Sequence, residues 1–153
     1  KLGHFAADAH PGNLASKMFA DAVEKRTNGA IKVTIYPNNA LAPTGVLEQN
    51  ILGAVDMSLP TQGQLGKYSK KFNCVMLPFV FNDYAQADKV LDGVFLKWAA
   101  PDLDKAGLVF LSNWEWGFRN LTNSKHPVNV PADVKGLKVR TPPELPTQAA
   151  MAT

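Results

Sequence analysis

Apolar and polar positions change rhythm in a regular order along this 153-residue chain. Leu2 to Ala6 reads as a short strand. His10 and Pro11 then mark a helix start, because proline is preorganised for a first helical position. Ala15, Met18, Phe19, Ala22, Val23 and Arg26 keep the spacing that builds one buried helix face. Asn28 and Gly29 accept a left-handed backbone and end it. Ile31, Val33 and Ile35 alternate with Lys32, Thr34 and Tyr36, which predicts a half-buried strand that Pro37 stops. Strand, helix, strand is the unit of a parallel sheet, so the fold class is α/β.

A loop rich in Pro, Asn and Gly follows. Thr44 is placed to cap a short helix with Leu47 and Ile51 inward, ended by Gly53. Val55, Met57 and Leu59 alternate with Asp56 and Ser58 as a third strand that stops at Pro60. Thr61, Gln62 and Gln64 fall in the loop at its carboxyl end, where they either line a cleft or form a solvated turn. Val75, Met76 and Leu77 lead into Pro78. Asp83 and Gln86 have capping-box spacing for a helix of Ala87, Val90, Leu91, Val94 and Trp98, which Gly93 breaks in two. Pro101 and Asp102 to Lys105 start a further short helix, and Leu108 to Leu111 reads as a buried strand. No internal repeat or low-complexity segment is found.

Trp114 to Pro143 holds two fixed positive charges, each at the end of an expected strand. Arg119 closes a strand-like run after Gly117. Arg140 ends the alternation of Leu137 and Val139, where Thr141, Pro142 and Pro143 stop a ladder. Ligands of α/β proteins sit at strand ends, and a guanidinium offers bidentate donors matched to a carboxylate. The two arginines are therefore either an anion site or surface charges and structural ion pairs. Trp114, Trp116 and Phe118 recur at every second position and share one expected strand face. Core packing accounts for them; if one borders a cleft, it is Trp116, which can pack against the apolar part of an acid.

Composition narrows the classes. Hydrophobic residues make up 46% and charged residues 19% of the chain, with a net charge of +3. That is an ordinary globular composition with enough chain for a real core. Lys67, Lys70 and Lys71, and later Lys135, Lys138 and Arg140, are too dispersed for a nucleic-acid surface. No apolar run is long enough to span a bilayer. Cys74 is the only cysteine, so no intramolecular disulfide forms; its setting in CVMLPF predicts a small buried core residue. The chain starts directly on a strand with no visible signal peptide, which fits a processed exported chain or a cytoplasmic one.

Catalytic and metal chemistry find little support. His4, His10 and His126 are the three histidines, and no two have a helical metal-ligand spacing. Ser58, Ser69, Ser112 and Ser124 lack a nucleophile-elbow setting. Gly63 and Gly66 lack the lysine and hydroxyl of a phosphate loop. Glu115, between two tryptophans, is one carboxylate without a partner. No cofactor site is read.

Several stretches together carry a resemblance: GFRNLTN, HPVNVPADVKGLKVRTP, HPGNLASKMFADAVEKRTNGAIKVTIYPNNAL, LEQNILGAVDMSL and VMLPFVFNDYAQADKVLDG. In this order they resemble the periplasmic solute-binding proteins of TRAP transporters, the DctP-like family, over nearly the whole chain. The resemblance implies a two-lobed periplasmic-binding-protein-like fold. Residues 1–116 would form the first lobe and Gly117 onward the start of the second, with Ala149 to Thr153 beginning a helix. It implies that Arg140 binds a ligand carboxylate directly and that Arg119 assists. Phe5, after the first strand, and Thr61 and Gln64, after the third, are further ligand contacts by position. It also implies a periplasmic location, a small organic acid as ligand and TRAP membrane permease subunits as partners. An α/β enzyme acting on a carboxylate, or a sensory domain with the same fold, are the rival expectations.

Overall fold

A computed structural model describes residues 1–42, 45–142 and 144–152, residue 152 by its backbone alone. At its centre are three short parallel strands in the order β2-β1-β3: β1, Leu2–His4; β2, Ile35–Tyr36; β3, Met57–Leu59. Leu2 lies beside both Ile35 and Met57, and His4 beside Leu59. Helix α1, Pro11–Arg26, links β1 to β2, and helix α2, Val46–Ile51, links β2 to β3. The parallel unit expected from the alternating positions is present. Its second strand is shorter than expected, since Ile31 is half-exposed and pairing covers only Ile35 and Tyr36.

His10 caps α1, its Nδ1 accepting from the Gly12 amide at 3.0 Å. Asn28 and Gly29 follow the helix with φ of 49° and 81°, as the stop signal requires. The buried face of α1 differs from the apolar reading. Gly12, Asn13 and Ser16 are buried, whereas Met18 is 73% exposed and Arg26 exposed. Small and amide side chains are buried there because the first turn packs against Trp116 and the loop after β1. Asn13 Nδ2 donates to the Asp8 carbonyl at 2.7 Å, and Ser16 Oγ donates to the Gly12 carbonyl at 2.8 Å. Gly45 precedes α2 with φ of 81°; Thr44, the expected cap, lies outside the described residues.

A second layer, built on its own core, is helical. It comprises α3, Gln62–Leu65; α4, Lys71–Cys74; α5, Tyr84–Lys89; a π-helical segment, Val90–Phe95; and α6, Leu96–Lys105. Leu47, Leu65, Phe72, Phe95, Ala99 and Leu103 form its core. Phe72 meets Phe95 and Phe110 edge-on, with centroids 5.3 and 5.6 Å apart. Asp83 caps α5 by accepting from the Gln86 amide at 2.8 Å, while Gln86 Oε1 accepts from the Asn82 amide one residue earlier than a capping box places it. Gly93 breaks the helical run as expected, with φ −106° and ψ −108°. Pro101 does not start a new helix; it lies inside α6.

Three expectations fail in instructive ways. Leu108 to Leu111, Trp114 to Phe118 and Leu137 to Arg140 carry no strand ladder among the described residues. Val109 and Leu111 are 77% and 67% exposed, so the first of these is not a buried strand here. Cys74 is exposed rather than a core residue, because α4 ends at it and the following Leu77, Phe79 and Val80 also face outward. A final helix, α7, runs over Leu145–Ala152, starting four residues earlier than read from sequence. Among the described residues no helix is long and apolar enough to cross a membrane.

Candidate ligand-binding site

The loop that follows β1 forms one wall. The Asn38 and Asn39 amides donate to the carbonyls of Ala6 and His4 at 3.0 and 2.9 Å, and both asparagines adopt the positive φ this return requires. Phe5 lies between the two tethered residues and is 37% exposed. Its ring is 5.0 Å from that of Trp116. Trp116 also stacks on the imidazole of His10, at 4.5 Å and 9° from parallel, and its edge lies against Gly12. His10, Pro11, Gly12, Ala15 and Trp114 to Trp116 line a groove at this corner. Phe5 and Trp116, read separately from sequence, are thus brought together. Phe118 does not share a face with Trp116. Gly117 between them has φ of 85°, so the alternation breaks and Phe118 packs on Tyr84 instead, at 4.8 Å.

The carboxyl end of β3 forms the polar wall. Thr61 and Gln64 do not lie in an open loop. Thr61 caps α3, its Oγ1 accepting from the Gln64 amide at 3.3 Å, while Gln64 Oε1 accepts from the Thr61 amide at 2.9 Å. This reciprocal pair satisfies two donors at the helix start. Thr61 Oγ1 further donates to Glu144 Oε1 at 2.9 Å. Gln62 turns inward, its Nε2 donating to Asn113 Oδ1 at 2.7 Å, and Asn113 Nδ2 donates to the Leu91 carbonyl at 2.5 Å.

Glu144 is a residue that the sequence reading missed. Its side chain is 6% exposed and its Oε2 lies 3.7 Å from Arg119 Nη2. It packs so closely over Gly63 that a Cβ built there would come within 1.9 Å of Glu144 Cγ. Its signal in the sequence was a lone carboxylate four residues after Arg140, beyond the paired prolines. Arg119 therefore pairs with a carboxylate of its own chain, which the ion-pair alternative had allowed. Arg140 is exposed, and no ion pair or hydrogen bond of its guanidinium occurs among the described residues. Upstream of Arg140, Asp133 Oδ2 accepts from the amides of Asn129 and Val130 at 2.9 and 3.1 Å. These bonds hold its pKa below the usual carboxylate value and pin the turn Pro131–Val134.

Among the described residues no three of His, Cys, Asp and Glu cluster as a metal site. What the geometry offers is an aromatic corner, a set of amide and hydroxyl groups, one paired arginine and one unpaired arginine. Fixed donors and a stacking surface are groups of the kind that suit an organic anion.

Known proteins with this architecture supply the class. The family model described as bacterial extracellular solute-binding protein, family 7 (DctP) matches residues 2–153, and the chain belongs to that family. It is similar to the 2,3-diketo-L-gulonate-binding periplasmic protein YiaO of Escherichia coli K12, with 34% identity over 142 residues, 92% of this chain and 43% of that protein. Similarity to the C4-dicarboxylate-binding periplasmic protein DctP of Rhodobacter capsulatus is 34% over 142 residues, 92% of this chain and 42% of that one. Among solved structures, the sugar acid binding protein DctPAm of Advenella mimigardefordensis in complex with galactonate superposes with a TM-score of 0.92. That match has 32% identity and covers 99% of this chain and 49% of the other. The chain thus spans about half the length of the relatives it matches, and its fold is part of the two-lobed α/β architecture of TRAP solute-binding proteins.

Proposed function

We propose that this protein captures a small organic acid in a cleft between two lobes and delivers it to a TRAP-type membrane permease from the periplasmic side. Residues 1–116 belong to the first lobe, and the second begins at Gly117. Arg140 takes the ligand carboxylate, Arg119 assists, Trp116 and Phe5 pack against the carbon chain, and Thr61 and Gln64 complete the polar rim. The protein carries no catalytic group in this reading. The observation that carries it is the unpaired, exposed guanidinium of Arg140 in a chain whose family match runs through that residue. Every relative named above is described by an acid it binds, and a carboxylate is the group those ligands share. An arginine fits that task because a carboxylate taken out of water is costly unless it is paired, and a planar fork pairs it bidentately.

A thermal-shift screen of the complete gene product against organic acids and their uncharged amides tests this. A ligand bound only by the native state raises apparent stability by mass action. Stabilisation by an acid but not by its amide, abolished in Arg140→Ala, is expected. Stabilisation by no acid, or turnover of a bound one, would transfer the weight to a sensory domain or an enzyme.

A further inference from the structure

Two buried acceptor atoms lack a donor among the described residues: Glu144 Oε2 and Gln62 Oε1. The orientation of Gln62 follows from its neighbours. A backbone carbonyl only accepts, so Asn113 must turn its Nδ2 to Leu91 and its Oδ1 to Gln62. Gln62 then uses Nε2 for that bond and leaves Oε1 without one. Glu144 spends Oε1 on Thr61, and Arg119 is too distant from Oε2, at 3.7 Å, for a hydrogen bond. Thr61 and Gly63, both in contact with Glu144, flank Gln62 in sequence, so the two orphaned acceptors belong to one neighbourhood. Buried acceptors without partners are rare and costly.

Charge adds a second constraint. Glu144 already answers the charge of Arg119, which leaves Arg140, without an ion-pair partner among the described residues, as the uncompensated cation. One ligand carboxylate balances it, whereas a second would meet the negative charge of Glu144.

We infer that Glu144 is a specificity-determining residue that admits hydroxylated monocarboxylates, whose O–H groups donate to Glu144 Oε2 and Gln62 Oε1, and rejects dicarboxylates. The inference rests on the acid-binding reading of Arg140. The side chain of Arg119, 54% exposed and 3.7 Å from Oε2, would have to turn aside for a ligand hydroxyl to reach that atom.

Calorimetry on the complete gene product, freed of carried-over ligand, tests it with D-gluconate and D-erythronate as hydroxylated monoacids and succinate and glutarate as plain diacids. The wild type is expected to bind at least one monoacid about tenfold or more tightly than either diacid, the worth of one charge-assisted hydrogen bond. Glu144→Gln keeps the shape and removes the charge, so that ratio should fall by about tenfold. Gln62→Met removes the other acceptor and should weaken the monoacids alone. A wild type that prefers a diacid, or a ratio unchanged in Glu144→Gln, overturns the inference while leaving the acid site standing. Undiminished acid binding in Arg140→Ala, or no acid bound by the wild type, overturns the acid site and the inference with it.

Discussion

Trp116 lies flat against His10 while its edge presses on Gly12, where a Cβ would come within 2.7 Å of the indole ring. The close approach is possible only because residue 12 has no side chain. It joins the first turn of α1 to the segment that leads to Arg119.

Gly12→Ala is expected to displace the indole without unfolding the helix, since alanine favours helix and φ at this position is unconstrained. Tryptophan emission should shift, and acid affinity should fall several-fold if Trp116 packs on the ligand. Trp116→Leu should give a comparable loss of affinity in calorimetry. Full affinity in both variants would remove the aromatic corner from the site.

Arg140→Lys keeps the charge and gives up the planar fork. Affinity for an acid should drop by about tenfold or more, the equivalent of about 1.5 to 3 kcal/mol for a charge-assisted bond. The melting temperature of the free protein should stay unchanged, because Arg140 is exposed and unpaired among the described residues. Calorimetry and a melting curve on the same preparation separate the two effects.

His4 is 3% exposed at the end of β1, and neither ring nitrogen has a hydrogen-bond partner among the described residues. Burial pushes its pKa below the ordinary 6.5, outweighing the neighbouring Asn13 side chain, the Ala6 backbone and the Asp8 charge, while His10 adds to the lowering. The unfolded chain then binds a proton that the folded one refuses. The stability contribution is complete above about 6.5 and is lost as pH falls through the folded value. Wild-type melting temperature should therefore drop more between about pH 7.5 and about pH 5.5 than that of His4→Leu. Parallel pH profiles would show that His4 does not carry the effect.

Much of the helical scaffold was legible in the sequence because its signals are local. His10 and Pro11 start α1, Asn28 and Gly29 end it, and Asp83 caps α5, each through bonds spanning a few residues. Phe5 and Trp116 were identified, and the structure brings them together. Strands were less legible. Alternation at Leu108 to Leu111 or Leu137 to Arg140 describes what a strand would bury, but a ladder requires a second backbone, and none pairs there among the described residues. Glu144 escaped notice because its partners, Thr61, Gly63 and Arg119, lie 83, 81 and 25 positions away in the chain. A carboxylate's burial is set by such distant neighbours and not by the residues beside it.

The π-helical segment around Gly93 sets the rotational phase of the second layer. A helix turns by about 100° per residue, and beyond the kink Phe95, Ala99 and Leu103 recur at four-residue steps on the face that meets Phe72. Substitution at the exposed Asp92 or Val94 leaves that phase alone. Gaining or losing one residue between Val90 and Phe95 would swing all three core side chains off Phe72 together and carry Leu91, whose carbonyl anchors Asn113, out of reach. Chain length in this short stretch is thereby a constraint on the polar wall as strict as the identity of any side chain in it.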